Sequence, residues 1–255
     1  MRTDNYTHRH AIEQWKHYPI DQSGYVVDEN PYSNKSVIRI IQEIRASEIK
    51  VALNQGIEMS EFMVQVLPCV EVCEMDRNEC PCAPASGCYW LKTKCEIPRF
   101  IKMISVTGIV ANSENPRFTF IKWDRFQYLP FARSKSMQKG LYWTIKDSGG
   151  DGPHLYLYGD RFLEAVAISA IWEDPMTVEA YPKCGVTDIE AMCNPLDIDF
   201  YTDAWMRDTI ISRAWQKLLP VRQLAGLDMQ NDDTFANNPS RTQSLFSYSK
   251  FCSWC

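Results

Sequence analysis

The stretch SEFMVQVLPCVEV, residues 60–72, decides how this chain is read. Phe62, Met63, Val66, Leu67 and Val70 recur at steps of three and four, the spacing that puts apolar side chains on one face of a helix. Ser60 stands where a cap belongs, so the spacing predicts a helix over 60–73 that Pro68 kinks or ends early. The segment before it has the same period. Val37, Ile40, Ile41, Ile44 and Val51 share one face, and Arg39, Glu43 and Lys50 face away. Ser33, Asn34 or Ser36 can cap that start, and Gly56 can stop it. Two consecutive helices are the expectation.

Beyond residue 73 the pattern changes. Residues 74–87 carry Cys80-Pro-Cys82-Ala-Pro84 and read as a loop. Strands are expected at Tyr89–Glu96, Phe100–Val110, Phe118–Trp123, Leu141–Ile145 and His154–Tyr158, alternating or β-branched runs between turn residues. Ala165–Trp172 is apolar enough for a buried strand or a helix, and strand is preferred because Glu173-Asp174-Pro175 ends it abruptly. The glycine-rich run Asp147–Gly152 joins two of the strands as a loose hairpin. It lacks both the Lys-Ser/Thr of a phosphate loop and the glycine spacing of a dinucleotide site. From Thr202 the helical period returns. Met206, Ile210, Ala214 and Leu218 form a stripe, Asp203 and Lys217 suit the two ends of the dipole, and Pro220 marks a stop. Residues 1–32 are polar and aromatic without a period, and the chain after Gly226 is polar with scattered aromatics.

Composition narrows the function classes. In 255 residues, 45% hydrophobic and 12% aromatic, there is enough apolar material for a substantial core. A net charge of −5 argues against a basic nucleic-acid-binding surface. The first residues contain no apolar core of a secretory leader, and no run reaches the roughly 18 apolar residues of a membrane span. Ten cysteines without an export signal predict free thiols in a reducing compartment.

Six of those cysteines lie between Cys69 and Cys95. Cys80, Cys82, Cys88 and Cys95 are the candidate zinc set, but no C-x2-C knuckle occurs, and paired ligands on tight turns are what zinc modules use. Buried small apolar residues at Cys69 and Cys73, with the others lining a loop, is the preferred reading. A zinc deaminase is excluded, because Pro81-Cys82 lacks its second cysteine and no His-x-Glu exists. His8, His10 and His17 read as a solvated arm, His154 as a strand residue, and Asp197/Asp199 as solvated carboxylates. No nucleophile–base or carboxylate pair has a usable spacing. No catalytic residue, metal ligand or cofactor is therefore expected, and the chain reads as a non-enzyme.

The order of parts carries a resemblance over roughly residues 34–235. SVIRIIQEIRASEIKVAL, SEFMVQVLPCVEV, EIPRFIKMISVTG, VAISAIWEDP, TDAWMRDTIISRAW and LAGLDMQNDDTFANN together resemble the ring, or head-to-tail adaptor, proteins of crAss-like tailed bacteriophages. The resemblance implies a structural virion protein of the neck: a ring below the portal, assembled in the host cytoplasm, that extends the DNA channel and docks the next tail ring. Its implied partners are the portal, adjacent neck and tail rings, further copies of itself in a twelve-fold ring, and DNA passing without sequence-specific contact. An acidic wall suits such passage, since like charge lets DNA slide. A zinc- or thiol-containing enzyme and a tail-side or host-binding structural protein are the alternatives.

The expected fold is α+β. It is a helical bundle, made of the N-terminal helix pair and the long C-terminal helix, with a mostly antiparallel β insertion and an extended tail. The expected division is an arm (1–33), a helical part with the Cys-rich loop (34–87), a β-rich insertion (88–175), a C-terminal helical part (176–226) and an interaction tail (227–255). In that tail Asn231, Asp232, Phe235, Phe246, Tyr248, Phe251 and Trp254 are the expected partner-binding residues. Such a polar stretch with isolated aromatics orders on a partner, where each ring buries about 150–250 Å².

Overall fold

The apolar residues around Pro68 are not on a helix. In the computed structural model, which describes residues 6–23, 33–75, 90–110, 115–147, 153–159, 163–182 and 195–229, they lie on a ten-residue strand. Along the chain the elements are α1 (His8–Ser23), α2 (Asn34–Asn54), β1 (Gln65–Glu74), β2 (Trp90–Thr93), β3 (Phe100–Ile109) and β4 (Arg117–Phe120). There follow α3 (Trp123–Phe126), α4 (Lys135–Gln138), β5 (Tyr142–Asp147), β6 (Pro153–Tyr158), β7 (Ala165–Trp172), α5 (Pro175–Glu179) and α6 (Ala204–Met229). The described residues fall into two units, a β unit within Val64–Met192 and a helical unit from the chain before and after it.

The expected helical bundle with a β insertion is overturned. The fold is mixed α/β, organised around seven strands that close into a barrel in the order β1-β2-β6-β5-β4-β3-β7. Closure runs between β7 and β1, from Gln65↔Ala170 to Glu71↔Ala165, with the register shifting between Leu67 and Val70. That shift explains why this segment imitates a helix. Gln65 and Leu67 are buried and Val66 and Pro68 exposed, the two-residue alternation of a strand. The irregularity at Pro68-Cys69 then inserts one residue, and burial resumes at Val70. Met63, Leu67 and Val70 thus acquire helical spacing from a turn, a strand and a bulge. Proline also suits a bulge, because it has no N–H to give the ladder.

All neighbouring strands are antiparallel except β4 and β5, which run parallel with Thr119 opposite Tyr142. Parallel neighbours need a crossover instead of a tight turn. Residues 121–141, carrying α3 and α4, supply it. Val70, Leu91, Val106, Leu155, Val166 and Ile168 belong to the principal core of the barrel unit. Strand β6 is buried on both faces. Leu155 and Leu157 join that core, whereas Tyr156 and Tyr158 pack with Trp90, Phe126 and Leu129 in a second cluster that includes crossover residues. Gly159 ends β6 at φ +118, where a Cβ would stand 2.6 Å from the Gly140 carbonyl oxygen, so the close approach of the crossover requires glycine.

In the helical unit, Ser33 caps α2 by accepting the Ser36 N–H at 3.2 Å. Gly56, at φ +75, and Ile57 donate to the carbonyls of Leu53 and Ala52, a Schellman stop. The buried face of α2 runs from Val37, Ile38 and Ile41 to Ile49 and Ala52, leaving Val51 exposed. Among the described side chains of α6 the buried apolar positions are Met206, Ile210, Ile211, Ala214 and Leu218. This helix passes Pro220, which does not stop it even though proline offers the Gln216 carbonyl no N–H. Helix α1 occupies the stretch read as an aperiodic arm, and buries Ala11, Ile12 and Trp15, with Trp15 edge-on to Trp215 at 5.5 Å.

Two outcomes follow for stability. Truncating the fully buried Leu155 to Ala is expected to cost about 2–5 kcal/mol, and Val51→Ala on the open side of α2 less than about 0.5 kcal/mol. Urea midpoints of the two variants check the contrast; equal losses would contradict the barrel core.

Candidate interaction surface

The residues expected to bind partners, Asn231, Asp232, Phe235, Phe246, Tyr248, Phe251 and Trp254, lie outside the described residues, as do Cys80, Cys82, Cys88 and the loop at 148–152. The expectation of free thiols is corrected at three positions. Cys69, Cys73 and Cys95 are disulfide-bonded. Bonding depends on which sulfurs the fold brings together; β1 carries two of these cysteines, and its partner strand β2 ends just before the third. Cys95 is buried, with the Tyr181 hydroxyl donating to its carbonyl at 3.4 Å. A sulfur in a disulfide is no thiolate, so Cys95 leaves the candidate zinc set. Among the described residues no group of three His, Cys, Asp or Glu could hold a metal.

The histidine arm and the alternating carboxylates are joined structurally. Arg9 pairs with Asp197 at 2.8 Å, and Asp199 forms a β-bridge with Thr7. His8 is buried, with Nδ1 2.8 Å from the Ile198 carbonyl and Nε2 against the Gln42 amide. A carbonyl only accepts, so Nδ1 carries the proton and Nε2 accepts from Gln42. Burial, opposed by that carbonyl, pushes the His8 pKa down to about 4. Beside it Arg45 is fully buried and its Nε donates to the Tyr201 carbonyl at 2.7 Å. Burial likewise pushes the Tyr6 hydroxyl up to about 12, against the pull of the Arg207 guanidinium 4.2 Å over its ring. These groups fasten α1 and the 198–201 segment. The bonds that His8 and Arg45 make join distant segments of the chain, which makes the cluster a structural lock.

The crossover between β4 and β5 presents a different chemistry. Phe120, Tyr128 and Phe131 are 54%, 58% and 59% exposed, unusual for side chains that could have been buried, and Met137 is also exposed. Arg117, Lys122, Arg125, Arg133, Lys135, Lys139 and Lys146 are all exposed around them, with Asp124 the one acid between residues 117 and 146. Lys146 sits 4.9 Å over the Trp123 ring. Among the described residues the other six cations have no side-chain ion pair.

This surface is held rigidly from below. Trp123 and Phe126 stack at 5.9 Å, Trp123 meets Tyr156 at 5.0 Å, and Phe126 meets Trp90 at 5.5 Å. Gln138 donates to the Ala132 carbonyl at 2.8 Å and its own carbonyl accepts from the Tyr158 hydroxyl at 3.1 Å. Sequence reading missed the surface, although the run of seven cations against one acid in an acidic chain was the available signal.

Residues 21–238 match the family of phage tail ring protein 2. No curated protein matches the chain.

His8 makes the helical unit sensitive to acid. Its folded pKa lies below the unfolded value of 6.5, so the unfolded chain takes up a proton that the folded chain refuses. Stability from this group is full above about pH 6.5 and declines toward pH 4, by up to roughly 3 kcal/mol. Urea midpoints measured from pH 7 to 4 should fall more steeply in the native chain than in His8→Gln. Equal slopes would remove His8 as the cause.

Proposed function

The chain belongs to the phage tail ring protein 2 family, and from that premise we propose that it is the head-to-tail adaptor ring below the portal. A structural ring protein of the phage tail works by shape and contact. The finer reading is that copies close into a ring, twelve-fold to match the portal, extend the DNA channel, and offer the next tail ring a platform. The observation that carries it is the family match across residues 21–238, which takes in all seven strands together with α2 and α6.

Physical features support a structural role. A closed barrel leaves no unpaired strand edge, so copies can be packed at high local concentration without edge-to-edge aggregation. The net charge of −5 favours a passage along which DNA slides. No helix among the described residues is long and apolar enough to cross a membrane. The zinc-enzyme alternative loses Cys95 as a ligand.

The tail belongs to this proposal as the fastening segment. Asn231 and Asp232 follow the end of α6, and Phe235, Phe246, Tyr248, Phe251 and Trp254 would fill pockets on the portal or a neighbouring ring.

Reconstruction of the virion by electron cryomicroscopy tests the placement: density for this barrel in a ring directly beneath the portal is expected, and a ring further down the tail would replace it. A chain ending at Met229 should fold with an unchanged thermal midpoint yet be missing from particles assembled in its presence. Its normal incorporation would remove the tail's assigned role.

A further inference from the structure

We propose that the crossover face of the barrel is the subunit–subunit surface of the ring, and that it docks head-to-tail on the acidic remainder of a neighbouring copy. The inference rests on the ring reading above and assigns the contact to residues 117–146.

Three properties of the face lead there. The first is charge. Of 27 Lys/Arg and 32 Asp/Glu in the chain, this segment takes seven basic residues and one acidic, leaving 20 against 31 elsewhere. A protein that is otherwise strongly negative concentrates exposed positive charge in the one segment that holds the crossover, and a surface of opposite charge is offered by the rest of another copy. The second is apolar exposure. Phe120, Tyr128, Phe131 and Met137 present aromatic and thioether groups among arginines, the residue types enriched at protein interface cores, with Lys135 and Lys139 suited to a rim. The third is preorganisation. Phe126 and Leu129 are fully buried beneath the face, so little ordering cost remains when a partner arrives.

The same charges dictate the geometry of association. Two such faces cannot pack on each other, because seven cations would meet seven cations. An isologous dimer through this surface is therefore disfavoured. The face must meet a different surface of the next copy, and a heterologous contact repeated around a closing rotation gives a ring. Duplex DNA is the competing occupant. Phosphate contacts would use the cations, but they leave the exposed rings without a partner, since an intact duplex stacks no base on them. Seven exposed cations turned into a channel would also grip the DNA that has to pass.

The test uses the full chain. Oligomer mass is measured by mass photometry and sedimentation for the native chain, for Arg125→Glu/Arg133→Glu/Lys139→Glu, and for Tyr128→Ala/Phe131→Ala. All five positions are exposed, so thermal midpoints should match and folding is not at stake. The native chain should form closed rings that added salt dissociates. Both variants should be monomeric at concentrations where the native chain is assembled, with association weakened on the order of 100-fold. Native rings together with intact variant rings would overturn the assignment of this face and leave the ring reading standing. Variants that keep their rings but lose retention of a duplex DNA fragment would identify it as a DNA surface and equally overturn the proposal. A native chain that stays monomeric throughout would remove the ring reading, and this inference with it.

Discussion

Everything in the β unit depends on the closure of β1 against β7. A strand that ends a sheet leaves N–H and C=O groups without partners, and closing the sheet is the arrangement that removes both edges at once. Closure demands that the first and last strands be curved enough to meet. The register shift between Leu67 and Val70, at Pro68, is where β1 accommodates this, and β3 makes the matching adjustments against β7 between Phe100/Lys102 and Met103/Ser105. The junction is reinforced by side chains. Trp172 Nε1 donates to the Gln65 carbonyl at 3.0 Å, and Gln65 Nε2 donates to Glu179 at 2.9 Å. The indole and amide thus tie the end of β7 and α5 to the beginning of β1.

Closure also creates the surface on which the chain presents its cations. Six of the seven strand contacts are antiparallel, and the parallel β4–β5 pair forces a crossover along the outside of the barrel. That crossover has one face to bury and one to show. Phe126 and Leu129 turn inward onto Tyr156 and Tyr158, which is why β6 is buried on both sides, and the remaining positions are left to water or a partner. Arginine, lysine, phenylalanine and tyrosine at those positions add little to folding.

The helical unit is held differently. Its apolar stripes on α2 and α6 are ordinary, but the attachment of α1 and the 198–201 segment uses buried polar groups. His8, Gln42 and Arg45 have bonds directed at the carbonyls of Ile198 and Tyr201 or at one another. Buried polar groups cost several kcal/mol when unmatched, so they tolerate few alternative arrangements. The ion pairs along the exposed side, such as Lys217 with Glu43 at 2.9 Å, add little by comparison.

What could be read in the sequence was whatever depends on near neighbours. The stripe Met206, Ile210, Ala214, Leu218 follows the helical step and is the buried face of α6; β-branched and apolar runs bounded by turn residues marked β3, β6 and β7; Ser33 and Gly56 punctuate α2. The order of these parts was enough to point to the phage ring proteins. Beyond that reach lay features set by residues distant in the chain. The bulge at Pro68 disguised β1 as a helix, since a strand with one inserted residue has the same apolar spacing as two helical turns. Among its described side chains helix α1 buries three apolar residues, and it meets partners nearly 200 positions away, among them Ile198 and Trp215. At Cys69, Cys73 and Cys95 disulfides stand where free thiols were expected, because bonding depends on proximity in space. The cations of the crossover were visible as letters, but only the parallel pairing of β4 with β5 shows that the segment carrying them is a crossover with exposed positions. Local periodicity is a property of the chain; closure, bonding between distant segments and the shape of a surface arise only when the chain meets itself.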